Sequence, residues 1–337
     1  MMSKIIYLDN AATTRVYPFV RKAIDSINSK IYGNPSSLHK LGEEARKLVE
    51  QVRVKLAKEI NSKPNEIIFT SGASESNNLA LQGLAQAYYG KKKIIISCVE
   101  HSSIYACAKH LESYGYKVVI IPVNKEGILN LLKLEEEIDS NTLIVSIIHT
   151  QNEIGTIQNI AEIGKICRKK GVLFHTDCAQ SFGKIDIDVK KMNIDMLSAS
   201  AHKIGGPKGV GLLYLRDGVS MRALIQGGGQ ERGLRSGTEN VSGIIGFAEA
   251  VRVIKKLNKE KICKLRDYFI NELKKFGKVN GSVNERIYNN IHVSFSGIEG
   301  DTLVQFLSSR GIMCSAGSAC DSRNEDKRVL KSIGLND

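Results

Sequence analysis

Short, nearly continuous apolar runs, separated by amphipathic stretches, constrain this chain more than any other feature. Lys93–Ser97 (KIIIS), Lys117–Val123 (KVVIIPV), Leu143–His149 (LIVSIIH), Val172–Asp177 (VLFHTD) and Gly209–Leu215 (GVGLLYL) are rich in Val, Ile and Leu. Runs of this kind suit strands buried on both faces. Between several of them, Ile104–Tyr114, Leu131–Ile138 and Ile160–Lys170 carry helical patterning. Strands alternating with helices predict βαβ units and an α/β fold with a mainly parallel sheet. Ligands of such sheets gather at the carboxyl ends of the strands. From about Val241 the pattern changes to a long helical stretch reaching about Phe276. RIYNNIHVSFSG, a helix over Asp301–Arg310 and GIMCSAGSAC follow it. That predicts a second, smaller α+β domain, with a boundary near residue 245. A chain of 337 residues has room for both.

Hydrophobic residues make up 42% and charged residues 25%, the balance of an ordinary folded soluble protein. The apolar stretch in MMSKIIYLDNAATT is too short for a signal-peptide core, and no run is long enough to span a bilayer. The expectation is a cytoplasmic protein with no membrane partner. A net charge of +13 invites a nucleic-acid reading, so the placement of the lysines matters. They fall in short runs (Lys91–Lys93, Lys169–Lys170, Lys190–Lys191, Lys255–Lys256, Lys274–Lys275), mostly where helices or turns end. Cations there complement helix dipoles, and no nucleic-acid recognition motif accompanies them, so direct nucleic-acid binding is not expected. The seven cysteines form no C-x-x-C pair and no Cys/His cluster of zinc spacing. No metal is therefore expected in the free protein. Most of the cysteines read as small buried hydrophobes, and one as a reactive thiol.

Four motifs carry chemistry. In Ser198–Gly209 (SASAHKIGGPKG), Lys203 sits in a Gly-rich turn after a strand, a position suited to a Schiff-base lysine. Ser200 and His202 beside it could hold a phosphate. This is no Walker loop, because Lys208 is followed by Gly. In Val172–Gln180 (VLFHTDCAQ), Asp177 ends a buried strand, where an unpaired carboxylate is costly. A protonated pyridine nitrogen is one partner for it; capping the next helix is the competing reading. Gln180 could reach the ring oxygen of the same cofactor. In Ile67–Asn78 (IIFTSGASESNN), a turn at Gly72 leads into a helix opening at Ser74, an anion site or an ordinary capping box of Ser74 and Asn77. His101 in VEHSS could stack on the ring, and Asn152 in HTQNEIG stands at another strand end. Finally, Cys320 in CSAGSACDSRNED lies in a small-residue, then charged, loop that predicts an exposed thiol. Cys314, just before that loop, reads as core.

These motifs, with YLDNAATT, GNPSSLH, EHSS, NEIG, GGGQERGLRSGTEN, SAGSAC and SIGLND, make the chain resemble the cysteine desulfurases. Those are class V of the fold-type-I aminotransferase superfamily, and the subgroup resembled serves iron–sulfur cluster assembly. The resemblance runs from residue 7 to 337. It implies a large cofactor domain over 15–245 and a small one formed by 1–14 with 246–337. It also implies pyridoxal phosphate bound to Lys203, Asp177 on the pyridinium nitrogen, and His101 stacked on the ring and moving protons. Gln180 and Asn152 would bond the ring oxygen or the substrate, and Asn34 in GNPSSLH would contact substrate. The phosphate would be held by the Ala73 amide with Ser74, Ser200 and His202, and by Thr238 of a neighbouring subunit in a homodimer. Cys320 would take sulfur from L-cysteine, release alanine and pass the persulfide to an iron–sulfur scaffold, a tRNA-thiolation protein or another acceptor. A cluster in transfer would use Cys320 as a ligand.

Two departures from the family pattern matter. Ser74 stands where the family often has Thr, and both carry the hydroxyl. The family also continues past the position matching Asp337 into a strand bearing an Arg for the substrate carboxylate. That leaves open a cofactor-binding relative with weak or no turnover. A class V aminotransferase, or a lyase acting on selenocysteine or cysteine sulfinate, shares the framework as well.

Overall fold

The apolar runs become strands of one seven-stranded sheet in the computed structural model, which describes residues 5–317 and 327–335. In chain order the elements are β1 (Ile6–Tyr7), α1 (Pro18–Lys30), α2 (Lys40–Glu59), β2 (Ile67–Thr70), α3 (Ala73–Asn78), α4 (Leu84–Ala87), β3 (Lys93–Ser97) and α5 (Ser102–Glu112). Then come β4 (Lys117–Ile121), α6 (Leu131–Glu137), β5 (Thr142–Ile148), α7 (Ile160–Lys170), β6 (Leu173–Asp177), β7 (Met196–Ser200) and β8 (Gly211–Leu215). The remainder is α8 (Val241–Ile254), α9 (Lys259–Leu273), β9 (Lys278–Val279), β10 (Val293–Ser294), α10 (Gly300–Ser309), β11 (Ile312–Met313) and α11 (Arg328–Ser332).

The sheet order is β2-β8-β7-β6-β5-β3-β4. Strands β4, β3, β5, β6 and β7 are mutually parallel, whereas β8 lies antiparallel between β7 and β2. The expected mainly parallel α/β sheet is therefore present, with one reversed strand among those described. Consecutive residues of a strand serve opposite cores. Ile95 joins the cluster that includes α2, α7 and α8, while Ile94 and Ile96 join the one that includes α5. Burial on both faces is why β3, β5, β6 and β8 show no polar alternation. Strand β4, expected to be buried like them, lies at the edge of the sheet and is only partly buried, with Ile120 exposed. The parallel register sets Ile148 beside Asp177 and Asp177 beside Ser198, so the carboxyl ends of β5, β6 and β7 share one edge.

The helical stretch expected over 241–276 is two helices. Asn258 caps α9, its side chain accepting from the Lys261 amide at 2.9 Å. Helix α8 packs into the large core through Phe247, Val251 and Ile254. Strand β1 pairs in parallel with β11, Ile6 opposite Ile312, which ties the N-terminus to the C-terminal elements. Cys107, Cys167 and Cys178 are buried, whereas Cys98, Cys263 and Cys314 are half-buried. Cys314 is thus not core but half-buried, just after the two-residue β11. No helix among the described residues is long and apolar enough to cross a membrane.

One buried ion pair was not foreseen. Arg53 of α2 donates to Glu231 through Nη1 and Nη2 at 2.7 and 2.8 Å, and Nη1 also reaches the Ile67 carbonyl at 2.9 Å. Glu231 accepts the Phe69 amide as well, at 2.9 Å. The pair fixes the 225–240 loop to β2. Arg53→Lys keeps the charge but not the two-pronged geometry. It is expected to cost about 1–3 kcal/mol through unsatisfied buried acceptors, read as a lower denaturant midpoint at unchanged slope.

Candidate active site

The site is built around the turn after β7. Residues 201–203 form a single 3-10 turn, and Gly205 (φ +80°) follows where a Cβ would come within 2.1 Å of the Tyr17 ring. Only glycine fits there. The N-terminal segment crosses this turn. Thr14 donates its hydroxyl to the His202 carbonyl and accepts the Gly205 amide, both at 2.7 Å. Lys203 Nζ donates to the Ala11 and Ala12 carbonyls at 2.7 and 2.8 Å. His202 Nδ1 lies 3.1 Å from the Thr13 hydroxyl. Burial, then Lys203 and Lys208, push its pKa down to about 4, so the imidazole is neutral.

Asp177 ends β6 and is buried. One carboxylate oxygen accepts the Ala179 amide at 2.9 Å, so it does cap the following turn. The other accepts from Asn77 Nδ2 at 2.7 Å. The same Asn77 nitrogen reaches the Ser103 hydroxyl at 2.9 Å, and that hydroxyl lies 2.8 Å from His101 Nδ1. A continuous chain thus joins Asp177 to His101. Because His101 Nδ1 also accepts the Ser103 amide at 3.1 Å, the proton of the neutral ring sits on Nε2. Neither Asn77 nor Ser103 was anticipated in this role. Asn77 read locally as half of a capping box, but the helix is capped at Gly72 without a side chain, and Asn77 points into the core.

The other expected residues fall into two groups. Gln180 is buried and donates to the Ala11 carbonyl at 2.8 Å, which places it beside Lys203. The position of a Cβ on Gly72 would be 3.7 Å from the Ser200 hydroxyl, so the start of α3, with Ala73 and exposed Ser74, faces the end of β7. Asn152, half-buried after β5, accepts from Gln151 at 3.4 Å. By contrast, exposed Asn34 accepts the Ser36 amide in a local turn, and Thr238 is exposed on the 225–240 loop. Asn34 and Thr238 thus stand on exposed loop positions. Cys320 lies outside the described residues.

Glu100, next to His101, is a further unforeseen group. It is fully buried, and one oxygen takes the Ser97 hydroxyl at 2.5 Å and the Ile148 amide at 2.9 Å. Burial, offset in part by those bonds and reinforced by Asp177, raises its pKa to about 8. The folded state therefore holds a proton that the unfolded chain releases at a lower pH, and stability should fall as pH rises from about 4.3 towards 8. Glu100→Gln keeps an acceptor for Ile148 and is expected to flatten that slope, as measured by denaturation midpoints at pH 5, 6.5 and 8.

The description "Aminotransferase class-V" matches residues 6–333. The curated cysteine desulfurase IscS of Clostridium botulinum (strain Hall) is 44% identical over 346 residues, covering 99% of this chain and 87% of that protein. That of Dictyoglomus turgidum is 43% identical with the same coverage. A solved "NifS-like protein" superposes with a TM-score of 0.93 at 39% identity, covering 99% of this chain and 90% of its own. "SspA in complex with cysteine" does so at 0.88 and 38%, covering 98% and 95%.

Class V aminotransferases and cysteine desulfurases depend on pyridoxal phosphate. The residues present fit that group. Asp177 is a buried carboxylate that accepts from two neutral donors, Asn77 and the Ala179 amide, so a pyridinium nitrogen would complete its pairing. An amine (Lys203) and a glycine-lined approach to a hydroxyl (Gly72 to Ser200) flank it at the same sheet edge.

Proposed function

The chain belongs to the aminotransferase class-V family, and from that premise we propose its reaction: desulfuration of L-cysteine to L-alanine, with the sulfur left as a persulfide on Cys320. The observation that carries this reading is the meeting of Lys203, Asp177 and His101 at one sheet edge, linked through Asn77 and Ser103. The bound cofactor supplies an electron sink next to the substrate Cα.

Each residue then has a task. Lys203 would hold the cofactor and move protons at the substrate Cα. Asp177 would pair with its pyridine nitrogen and keep it electron-poor. His101, its Nε2 proton set by the Ser103 bonds, would stack on the cofactor and move protons. Gln180 and Asn152 bond the ring oxygen or the substrate, and Asn34 contacts the substrate. The Ala73 amide, Ser74, Ser200 and neutral His202 hold the phosphate. Thr238 reaches the phosphate of the other subunit in a homodimer, consistent with its exposed position. The Cys320 thiolate attacks the substrate sulfur; an S–S bond forms, the C–S bond breaks, and its electron pair stays with the substrate carbon, which is then protonated to alanine. The sulfur passes on to an iron–sulfur scaffold or another acceptor protein.

Addition of L-cysteine to the pyridoxal-phosphate-loaded protein should yield alanine and a 32 Da gain on Cys320, about one sulfur atom, with thiolate attack as the chemical step. Cys320→Ser should keep the cofactor spectrum and abolish the gain. A gain on Cys314 or Cys98, or undiminished turnover by Cys320→Ser, would point to a different thiol or to a lyase that needs none.

A further inference from the structure

The turn after β6 brings a second lysine to the site. Residues 178–185 form two successive turns, with the Phe182 amide on the Cys178 carbonyl and the Ile185 amide on that of Ser181. Gly183, at φ +71°, turns the chain between them, and the Lys184 side chain reaches back to Gln180. Lys184 is 3% exposed, and among the described residues no carboxylate pairs with it. Its Nζ instead lies 3.5 Å from Gln180 Oε1. The charges set beside it are also cationic: Lys203, and Lys259 of α9, whose Nζ donates to the Lys184 carbonyl at 2.7 Å. Burial, then Lys203, push the Lys184 pKa down to about 7. A long amine held in a core without an acid is costly, and nothing in the packing needs its charge.

The geometry of Gln180 gives it a use. The Nε2 of that amide already spends one N–H on the Ala11 carbonyl, at 2.8 Å. With Oε1 turned towards Lys184, the group the side chain has left to turn towards the cofactor is the second N–H of Nε2. We propose that Lys184 is a positioning residue: by engaging Gln180 Oε1 it leaves Gln180 only an N–H to present to the phenolate oxygen of pyridoxal phosphate. This rests on the cofactor reading above. Without Lys184 the amide can rotate and offer its oxygen to that phenolate, a repulsive contact that weakens binding and raises the basicity of the lysine-bound cofactor.

The test is a double-mutant cycle on the cofactor-loaded protein, read by the pH midpoint of its visible absorbance band and by the cofactor dissociation constant. Lys184→Met should raise the midpoint by about one pH unit and weaken cofactor binding by about tenfold. In a Gln180→Leu background the same substitution should leave cofactor affinity unchanged and move the midpoint much less, through the loss of the Lys184 charge beside Lys203 alone. An equal shift in both backgrounds, or none in the first, would overturn the inference. If Lys184→Met does not fold, Lys184→Gln, which keeps a donor without the charge, completes the same cycle and should restore most of the wild-type midpoint. A wild-type protein that takes up no pyridoxal phosphate would overturn the cofactor reading too, so the two failures are separable.

Discussion

Lys203→Ala should leave the fold intact and abolish turnover. The side chain is half-buried and donates to the carbonyls of Ala11 and Ala12. Truncation leaves Ala11 its bond from Gln180, so the expected structural cost is about 1–3 kcal/mol. Catalytically the loss is double. The cofactor loses its covalent tether, and the substrate Cα loses the amine that moves its proton. Positioned proton transfer alone is worth about 10²–10⁴ in rate, so with the tether gone alanine production should drop below detection. The absorbance band of the lysine-bound cofactor should vanish, while the circular dichroism spectrum and cooperative melt persist. A variant that still yields a borohydride-reducible cofactor link would place the attachment on another lysine, and Lys184 would be the next to examine.

Asp177→Ala should be nearly as damaging, through a different route. The carboxylate is the charge available to a pyridinium at this edge, and removing one partner of a buried ion pair costs about 3–5 kcal/mol. Expressed in rate, that is roughly a 10²–10⁴-fold loss, expected mainly in kcat because the pairing strengthens as the ring accepts electrons. Asp177 is also structural, since it accepts from Asn77 and from the Ala179 amide. Asp177→Asn separates the roles: its oxygen can still cap Ala179, but it carries no charge. Equal kcat losses in Ala and Asn variants, with a near-wild-type melt only for Asn, would be the signature of the charge. Wild-type turnover by Asp177→Asn would remove Asp177 from the cofactor.

What the sequence disclosed follows from how each signal is encoded. The strands at Lys93, Leu143 and Val172 were legible because strands covered on both faces need continuous Val, Ile and Leu. The reversal of β8 was not, because a run such as GLLYL is apolar in either direction. The break between α8 and α9 had a sign in Asn258, which caps α9, but the flanking helical patterns masked it. At the site, Lys203, Asp177 and Gln180 stood out as polar residues at strand ends. Asn77, Ser103 and Glu100 were illegible in their roles because each bonds a partner distant in sequence, and Lys184 because its closeness to Gln180 depends on how the turn between them folds. Asn77 to Asp177, for example, spans 100 residues. Local reading made Asn77 a helix cap; tertiary bonding assigned it to Asp177.

The pairing of β1 with β11 and the bonds from Lys203 to Ala11 also bear on the order in which the protein assembles. Lys203 and Ala11 are 192 residues apart, and β1 needs Ile312 as its partner. Contacts of such sequence separation carry a large loop-closure entropy and form late. During synthesis β1 and Ala11 must therefore wait, unpaired, until Lys203 and then β11 have been made. The sheet can close without them, whereas the seat of the cofactor amine cannot. A segment made well before its partners is among the last to be fixed.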